Sequence, residues 1–266
     1  MTDGELERRL EASGYARSGF AAQYDACRPR PPAALLDLLP PLAGGERPKL
    51  VVDLGSGTGL SARIWAERAH EVVGVEPNAA VCRFAAQATG AGNVRYVERS
   101  AYDTGLADGC ADIVTASQSL QWMRPEQVFP EIGRVLRDGG VFCAYAYVSL
   151  QTPLWEPEAR WAELRVRKNE LREQRGLVET SWPVSRERLE ESGVFRSTRE
   201  LALHSVEHGD GDRLVGFALS EGSLTTLLEA GVGEEEVGLD RLRLAAAKMS
   251  EAVPWWIGYR VWLGLK

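Results

Sequence analysis

The sequence predicts an α/β fold built on a doubly wound sheet, and three observations predict it. Between Lys49 and Leu150, stretches of strand length alternate with stretches of helical pattern. Strands alternating with helices imply right-handed crossovers and a largely parallel sheet. The first of these strands, Leu50 to Leu54, reads "LVVDL", which suits a strand buried on both faces. Directly after it comes "GSGTG", a glycine-rich turn from strand to helix.

Taken in order, residues 1–48 read as a segment of short helices ahead of the sheet. "ELERRLEASG" is one helix, and beyond the prolines of "CRPRPP" the chain restarts as a helix over Ala33 to Leu39. "GGERP" is a loop. Residues 49–150 form the core. Its strands are Leu50–Leu54, "EVVGVEP", "NVRYVER", "ADIVTAS" and "VFCAYAYVSL". Its helices are Gly59–Ala69, Asn78–Thr89 and "RPEQVFPEIGRVLRDGG", the last with a glycine stop. In residues 151–266 the rhythm changes to helical insertions, at about 151–195 and 209–250, around two further strands, "STRELALHSVEH" and "VPWWIGYRVWLGLK". In the long charged helix after Leu150, Trp161, Leu164, Lys168 and Leu171 fall on one face. In the last strand Trp255, Ile257, Tyr259, Val261, Leu263 and Leu265 share one face. The strands total seven.

Composition narrows the function. A net charge of −7 with no basic stripe argues against a protein that tracks nucleic-acid backbones. Cys27, Cys82, Cys110 and Cys143 stand far apart without a C-x-x-C pair, so neither a metal site nor a redox dithiol is expected. The N-terminal residues lack the apolar stretch of a signal peptide, and no apolar run reaches membrane-spanning length. A cytoplasmic protein without nucleic-acid or membrane partners is expected, as monomer or homodimer. Lysine is scarce, with only Lys49, Lys168, Lys248 and Lys266 in the chain.

The glycine turn carries the chemistry. Gly55, Gly57 and Gly59 follow Asp53 as D-x-G-x-G-x-G. A dinucleotide fold uses G-x-G-x-x-G, so the third glycine comes one residue early for a pyrophosphate. A Walker loop needs G-x-x-x-x-G-K-[ST], and no lysine is present. Glu76 ends the second strand about 20 residues on, where an acid can accept hydrogen bonds from ribose hydroxyls. Turn and acid together favour a nucleoside ligand without a pyrophosphate.

"VVDLGSGTG" followed by "VVGVEPNAA" resembles the first two motifs of class I S-adenosylmethionine-dependent methyltransferases, which share a Rossmann-like sheet. The resemblance continues through "VERSAYDTGLADGCADIVTASQSLQW" and "EIGRVLRDGG". "FAAQYDACRPRPP" is similar to the segment preceding the domain in the branch that includes trans-aconitate methyltransferases. The resemblance implies S-adenosyl-L-methionine as cofactor and S-adenosyl-L-homocysteine as its product. It places Asp53, Gly55, Gly57 and Gly59 at the amino-acid end of the cofactor and Glu76 at the ribose. Pro77 and Asn78 would flank the adenine, Ser100 and Ala101 would meet its edge, and Gln118 would lie beside the methionine moiety. Tyr24 and Arg28 would close over the site, Arg28 offering a fork that matches a carboxylate. Pro31 stands where the family has a second tyrosine.

Transfer of a methyl group from a sulfonium mainly requires alignment and exclusion of water. A base is needed only for a protonated acceptor. Many relatives carry histidine before the tryptophan after the fourth strand, whereas here Gln121 precedes Trp122. Glutamine takes no proton, and a carboxylate acceptor, ionised at neutral pH, needs no base. Trp122, Trp155, Trp161, Trp182, Trp255, Trp256 and Trp262 all follow the fourth strand and offer surface for an aromatic acceptor, methylated on carbon or nitrogen. Ordinary packing competes with that role. His204 and His208 share one face of a strand, and His204 is the candidate base, although the resemblance implies that this strand lies toward the sheet edge, away from the sulfonium, where structural roles compete. Tyr15 and Tyr24 are candidates to orient a substrate, and Tyr24, Gln121, Trp122 and His204 form the candidate catalytic set. Two function classes result: a small-molecule methyltransferase, or a protein that binds the cofactor without transferring its methyl group.

Overall fold

The computed structural model describes residues 19–177 and 182–266. The sequence helix "ELERRLEASG" and Tyr15 lie outside these residues. The elements run α1 (Phe20–Cys27), α2 (Leu35–Leu42), β1 (Leu50–Leu54), α3 (Leu60–Arg63), β2 (Glu71–Glu76), α4 (Ala79–Ala88), β3 (Val94–Glu98), β4 (Ala111–Ser117), α5 (Pro125–Val135) and β5 (Leu136–Gln151). Then come α6 (Trp155–Gln174), α7 (Arg186–Glu191), β6 (Ser197–Gly209), α8 (Gly211–Leu219), α9 (Gly222–Glu229), α10 (Glu234–Val237), α11 (Leu239–Ala246) and β7 (Val253–Leu265).

The seven strands form one sheet in the order β3-β2-β1-β4-β5-β7-β6. Neighbours from β3 to β5 pair in parallel. Lys266 bonds Gly140 while Gly258 lies against Ser149, so β7 runs opposite to β5 and the sheet is mixed. The order reverses at β1, whose neighbours are β2 and β4. In doubly wound sheets that reversal opens a crevice beyond the carboxyl ends of the strands.

The chain divides into two compact units. Among the described residues the sheet unit comprises 30–149, 182–205 and 258–266. Its core packs Val52, Leu54, Val73, Val75 and Val114 from the strands with Val128, Phe129 and Ile132 from α5. Phe142 stacks on Phe195 with ring centroids 5.5 Å apart, and Gly264 leaves room for that ring. Among the described residues the helical unit comprises 19–29, 150–177 and 206–257. The expected face of α6 is its buried one: Trp161, Leu164, Lys168 and Leu171 all point inward. Trp161 packs on Phe217, and the Lys168 ammonium is neutralised by Glu221. The boundary between the units falls between Pro29 and Arg30, whereas the sequence groups 1–48 together.

Three elements differ from the sequence expectation. The helix expected over Gly59–Ala69 is α-helical only from Leu60 to Arg63, after which i→i+3 bonds from Trp65 and Ala66 tighten the chain. The fully buried Trp65 ring holds those turns against the core. The helix expected from Ala33 to Leu39 begins at Leu35 and carries Pro40 and Pro41 in its last turn, where Gly44 and Gly45 donate to the proline carbonyls. The helix expected to stop at glycine ends earlier, at Val135. Leu136 pairs with Ala111 and Val141 with Ile113, so Arg137–Gly140 bulge out of β5. Gly139 supplies the positive φ of that bulge rather than a helix cap.

Candidate functional site

At the carboxyl end of β1 the chain turns through Gly55, Gly57 and Gly59, all with positive φ. Ser56 N–H donates to the Val75 carbonyl at 3.0 Å, tying the turn to β2. Gly57 N–H donates to Glu76 Oε2 at 3.0 Å, and Asn78 N–H donates to Glu76 Oε1 at 2.9 Å. Asn78 also caps α4, its Oδ1 accepting from Ala80 and Val81. The Glu76 carboxylate is buried, which pushes its pKa up, while the two N–H bonds act against the rise. Each of its oxygens keeps lone-pair capacity for a further donor.

Beneath the turn lies a polar network that the sequence does not disclose. Asp53 is fully buried and pairs in register with Thr115 of β4. Asp53 Oδ1 accepts from Thr115 Oγ1 at 2.6 Å and from Ser61 Oγ at 2.9 Å. Ser61 Oγ is in turn 2.7 Å from the Tyr145 hydroxyl. Because Ser61 spends its proton on Asp53, Tyr145 is the donor in that contact. Burial pushes the Asp53 carboxyl up to about 7 against the two hydroxyl bonds, with nearby Glu76 adding to the rise. Its second oxygen, Oδ2, is buried with no protein partner among the described residues.

The loop after β4 closes the other side. Gln118, at φ 54°, is the one non-glycine residue with positive φ among the described residues. Such backbone is sparsely populated and persists only where its surroundings hold it. Gln118 N–H donates to the Tyr145 carbonyl, and Ser119 Oγ donates to Leu54 O at 2.7 Å. Gln118 Nε2 is buried and has no protein acceptor among the described residues. Gln121 Nε2 donates to Gln118 O at 2.9 Å, so its amide braces the loop. Trp122 is 43% exposed. Ser100 and Ala101 follow β3, where Tyr102 N–H donates to Ser100 Oγ and Asp103 N–H to Ser100 O.

The structure therefore gathers Asp53, Gly55, Gly57, Gly59, Glu76, Pro77, Asn78 and Gln118 around the carboxyl ends of β1, β2 and β4, with Ser100 and Ala101 following β3. His204 is not among them. It is exposed on β6, the edge strand, with β4, β5 and β7 between it and β1. Tyr24 and Arg28 belong to the helical unit. There the Arg28 guanidinium donates to the Ser220 carbonyl at 2.5 Å and stacks on the Tyr24 and Phe217 rings, 4.7 and 5.1 Å from their centroids. Most of the tryptophans are consumed by packing. Trp161, Trp255 and Trp262 are buried, and Trp182 donates to the Met123 carbonyl beside Phe129. Trp155 and Trp256 face outward.

The donor and acceptor inventory fits S-adenosylmethionine. A bracketed carboxylate suits two ribose hydroxyls, and the open Asp53 oxygen and open Gln118 amide offer an acceptor and a donor. Those are the two polarities a zwitterionic amino-acid end requires. Residues 52–144 match the family model described as a methyltransferase domain. Saccharomyces cerevisiae CRG1, described as a probable S-adenosylmethionine-dependent methyltransferase, is 25% identical over 145 residues, 52% of this chain and 50% of that protein. A malonyl-[acyl-carrier protein] O-methyltransferase of Pectobacterium atrosepticum is 32% identical over 108 residues, 40% of each chain. The chain thus spans half or less of these two relatives. A solved structure from Anaeromyxobacter dehalogenans, a candidate type II methyltransferase, superposes with a TM-score of 0.66 at 24% identity, covering 90% of this chain and 97% of that one. That likeness is one of fold. Turn, bracketed acid and domain match agree, and residues 52–144 are similar to a methyltransferase domain.

Proposed function

We propose that this protein transfers the methyl group of S-adenosylmethionine to a small molecule, and that the acceptor is an ionised carboxylate. The observation that carries the first part is the Glu76 bracket, with Gly57 N–H on one oxygen and Asn78 N–H on the other. The cofactor supplies an activated methyl group on a sulfonium. The residues around it supply binding and alignment. Glu76 fixes the ribose, Asn78 and Pro77 flank the base, and Asp53 Oδ2 with Gln118 Nε2 engages the amino-acid end. Holding two reactants in near-attack geometry lowers a barrier by roughly 7–11 kcal/mol without proton transfer.

The loop from Ser117 to Trp122 holds no histidine, acid or lysine, and the Gln121 amide is spent on Gln118 O. A protonated acceptor would find no base there, whereas a carboxylate needs none. Packing also claims most of the tryptophans that would otherwise favour an aromatic acceptor. The malonyl-[acyl-carrier protein] O-methyltransferase relative points the same way, since it is an O-methyltransferase. His204 drops out of the proposed machinery because of its place on the edge strand.

Titration calorimetry with S-adenosylhomocysteine tests the cofactor site. Glu76→Ala is expected to weaken binding roughly tenfold or more, the scale of a lost pair of charge-assisted hydrogen bonds. Unchanged affinity would remove Glu76 from the ribose. Incubation with cofactor and a panel of carboxylic acids and aromatic amines, read by mass spectrometry, tests the acceptor. A gain of one methylene on acids supports the proposal, and a gain on amines alone refutes the acceptor class. No gain on any compound leaves a protein that only binds the cofactor.

A further inference from the structure

The amino ends of β1 and β4 frame a second concavity, at the opposite end of those strands from the glycine turn. Its volume is about 460 Å³, and its walls include Arg47, Lys49, Asp112 and Arg137. Pro40, Ala43 and Pro48 form its apolar side. A space of that size is in the range of small-molecule sites.

Its charge is unbalanced. Asp112 is the one acid in the wall, and its oxygens are already taken. Oδ2 accepts from Lys49 N–H at 2.6 Å and Leu50 N–H at 3.1 Å, and Oδ1 accepts from Arg137 Nε at 2.7 Å. Arg137 further donates to the carbonyls of Ala43 and Asp138, so its guanidinium is a fixed part of the wall. Among the described residues Arg47 makes one long bond, to Ala69 O at 3.3 Å, and no ion pair. The Lys49 ammonium has neither a hydrogen bond nor an ion pair among the described residues.

The other three lysines of the chain each have a protein partner. Lys168 pairs with Glu221, Lys248 with Glu156, and Lys266 donates to the Gly133 and Leu136 carbonyls. Lys49 alone borders the concavity, with its backbone N–H fastened to the buried Asp112.

We propose that this concavity is a second ligand site, separate from the cofactor turn, that takes a small organic phosphate. Lys49 supplies a compact charge and Arg47 a planar fork, the two chemistries that hold a phosphate group. The proline-lined wall accommodates an organic body, which inorganic phosphate alone would leave unfilled.

The test uses the full chain with ribose 5-phosphate, pyrophosphate and inorganic phosphate as probes, at an ionic strength fixed with sodium chloride. Calorimetry is expected to show saturable binding, with ribose 5-phosphate at least as tight as inorganic phosphate. The double variant Lys49→Gln, Arg47→Gln should weaken ribose 5-phosphate binding roughly tenfold or more, while S-adenosylhomocysteine affinity stays within about twofold of the parent. Arg68→Gln, which alters a surface arginine paired with Asp37, should bind the probes like the parent. No saturable binding, equal binding by the double variant, or an equal loss in Arg68→Gln would overturn the proposal. So would a parallel loss of S-adenosylhomocysteine binding, because the site would then not be separate. Tighter binding of inorganic phosphate than of ribose 5-phosphate would refute the organic body.

Discussion

Asp53 and Asp112 lie on neighbouring strands at opposite ends, and their surroundings reverse their chemistry. Asp53, at the carboxyl end of β1, gives one oxygen to two hydroxyls and leaves the other bare. Asp112, at the amino end of β4, meets two backbone N–H groups and a guanidinium. Burial dominates at Asp53 and lifts it to about 7. At Asp112 burial also pushes upward, but the Arg137 bond and the Leu50 and Lys49 N–H bonds outweigh it and hold the group below its ordinary value. A satisfied carboxylate serves the fold, and an unsatisfied one is available to a ligand.

The two predict opposite limbs of a pH–stability curve. A carboxyl raised in the folded state binds more protons there than in the unfolded chain. Its contribution is complete below the ordinary 3.8 and disappears as pH climbs through about 7. For Asp53 that is roughly 4 kcal/mol at most. Asp53→Asn should therefore flatten the loss of stability across that window in chemical denaturation. A slope will remain from Glu76, which burial also raises. An unchanged slope in Asp53→Asn would place the proton elsewhere and break the comparison.

Asp112 sharpens it from the other side. Its pKa is lowered, so its contribution is complete above the ordinary carboxylate value and is lost as pH falls through the depressed one. Asp112→Ala leaves Lys49 N–H, Leu50 N–H and Arg137 Nε without their acceptor. The expected cost at neutral pH is about 2–3 kcal/mol, with a shallower acid limb. Glu131, lowered by Arg134 and Thr104 against its own burial, preserves part of that limb. A denaturation midpoint equal to the parent's at neutral pH would show that Asp112 is not a fastening.

The sequence made one of these aspartates visible as a site residue and not the other, for a physical reason. Asp53 sits in a spaced glycine pattern, and spacing along the chain is what a sequence displays. Its partners Thr115, Ser61 and Tyr145 meet it only through strand register and a helical turn, which no local pattern encodes. The same holds for Asp112, whose role depends on Arg137 arriving from a bulge between paired strands. Faces with strict periodicity were legible: the buried stripe of α6 and the inward residues of β7 follow from spacings of 3.6 and 2. His204 shows the limit of pattern alone, since alternation reveals a shared face, while the strand's place at the edge follows from the fold the resemblance implies. Arg28 shows another, since a free-looking guanidinium in a proline-rich loop is in fact bonded to a carbonyl 192 residues away.

Glycines at the two ends of β1 give the smallest test of the same contrast. At Gly59, φ is 88°, and an added Cβ would fall 2.2 Å from the Tyr96 hydroxyl. Gly59→Ala thus incurs both a left-handed backbone and a collision, for an expected loss of about 2 kcal/mol. Tyr96→Phe removes the nearest atom, but its ring carbon would remain 2.8 Å away, so it should restore only part of that loss. Gly45, in the loop before β1, has nothing within 4 Å of an added Cβ and no positive φ. Gly45→Ala should stay within about 0.5 kcal/mol of the parent. Equal effects at the two positions would mean that neither the left-handed backbone nor the Tyr96 ring resists a side chain at Gly59. A Gly59→Ala loss that Tyr96→Phe leaves unchanged would assign the cost to backbone preference alone, not to packing against β3.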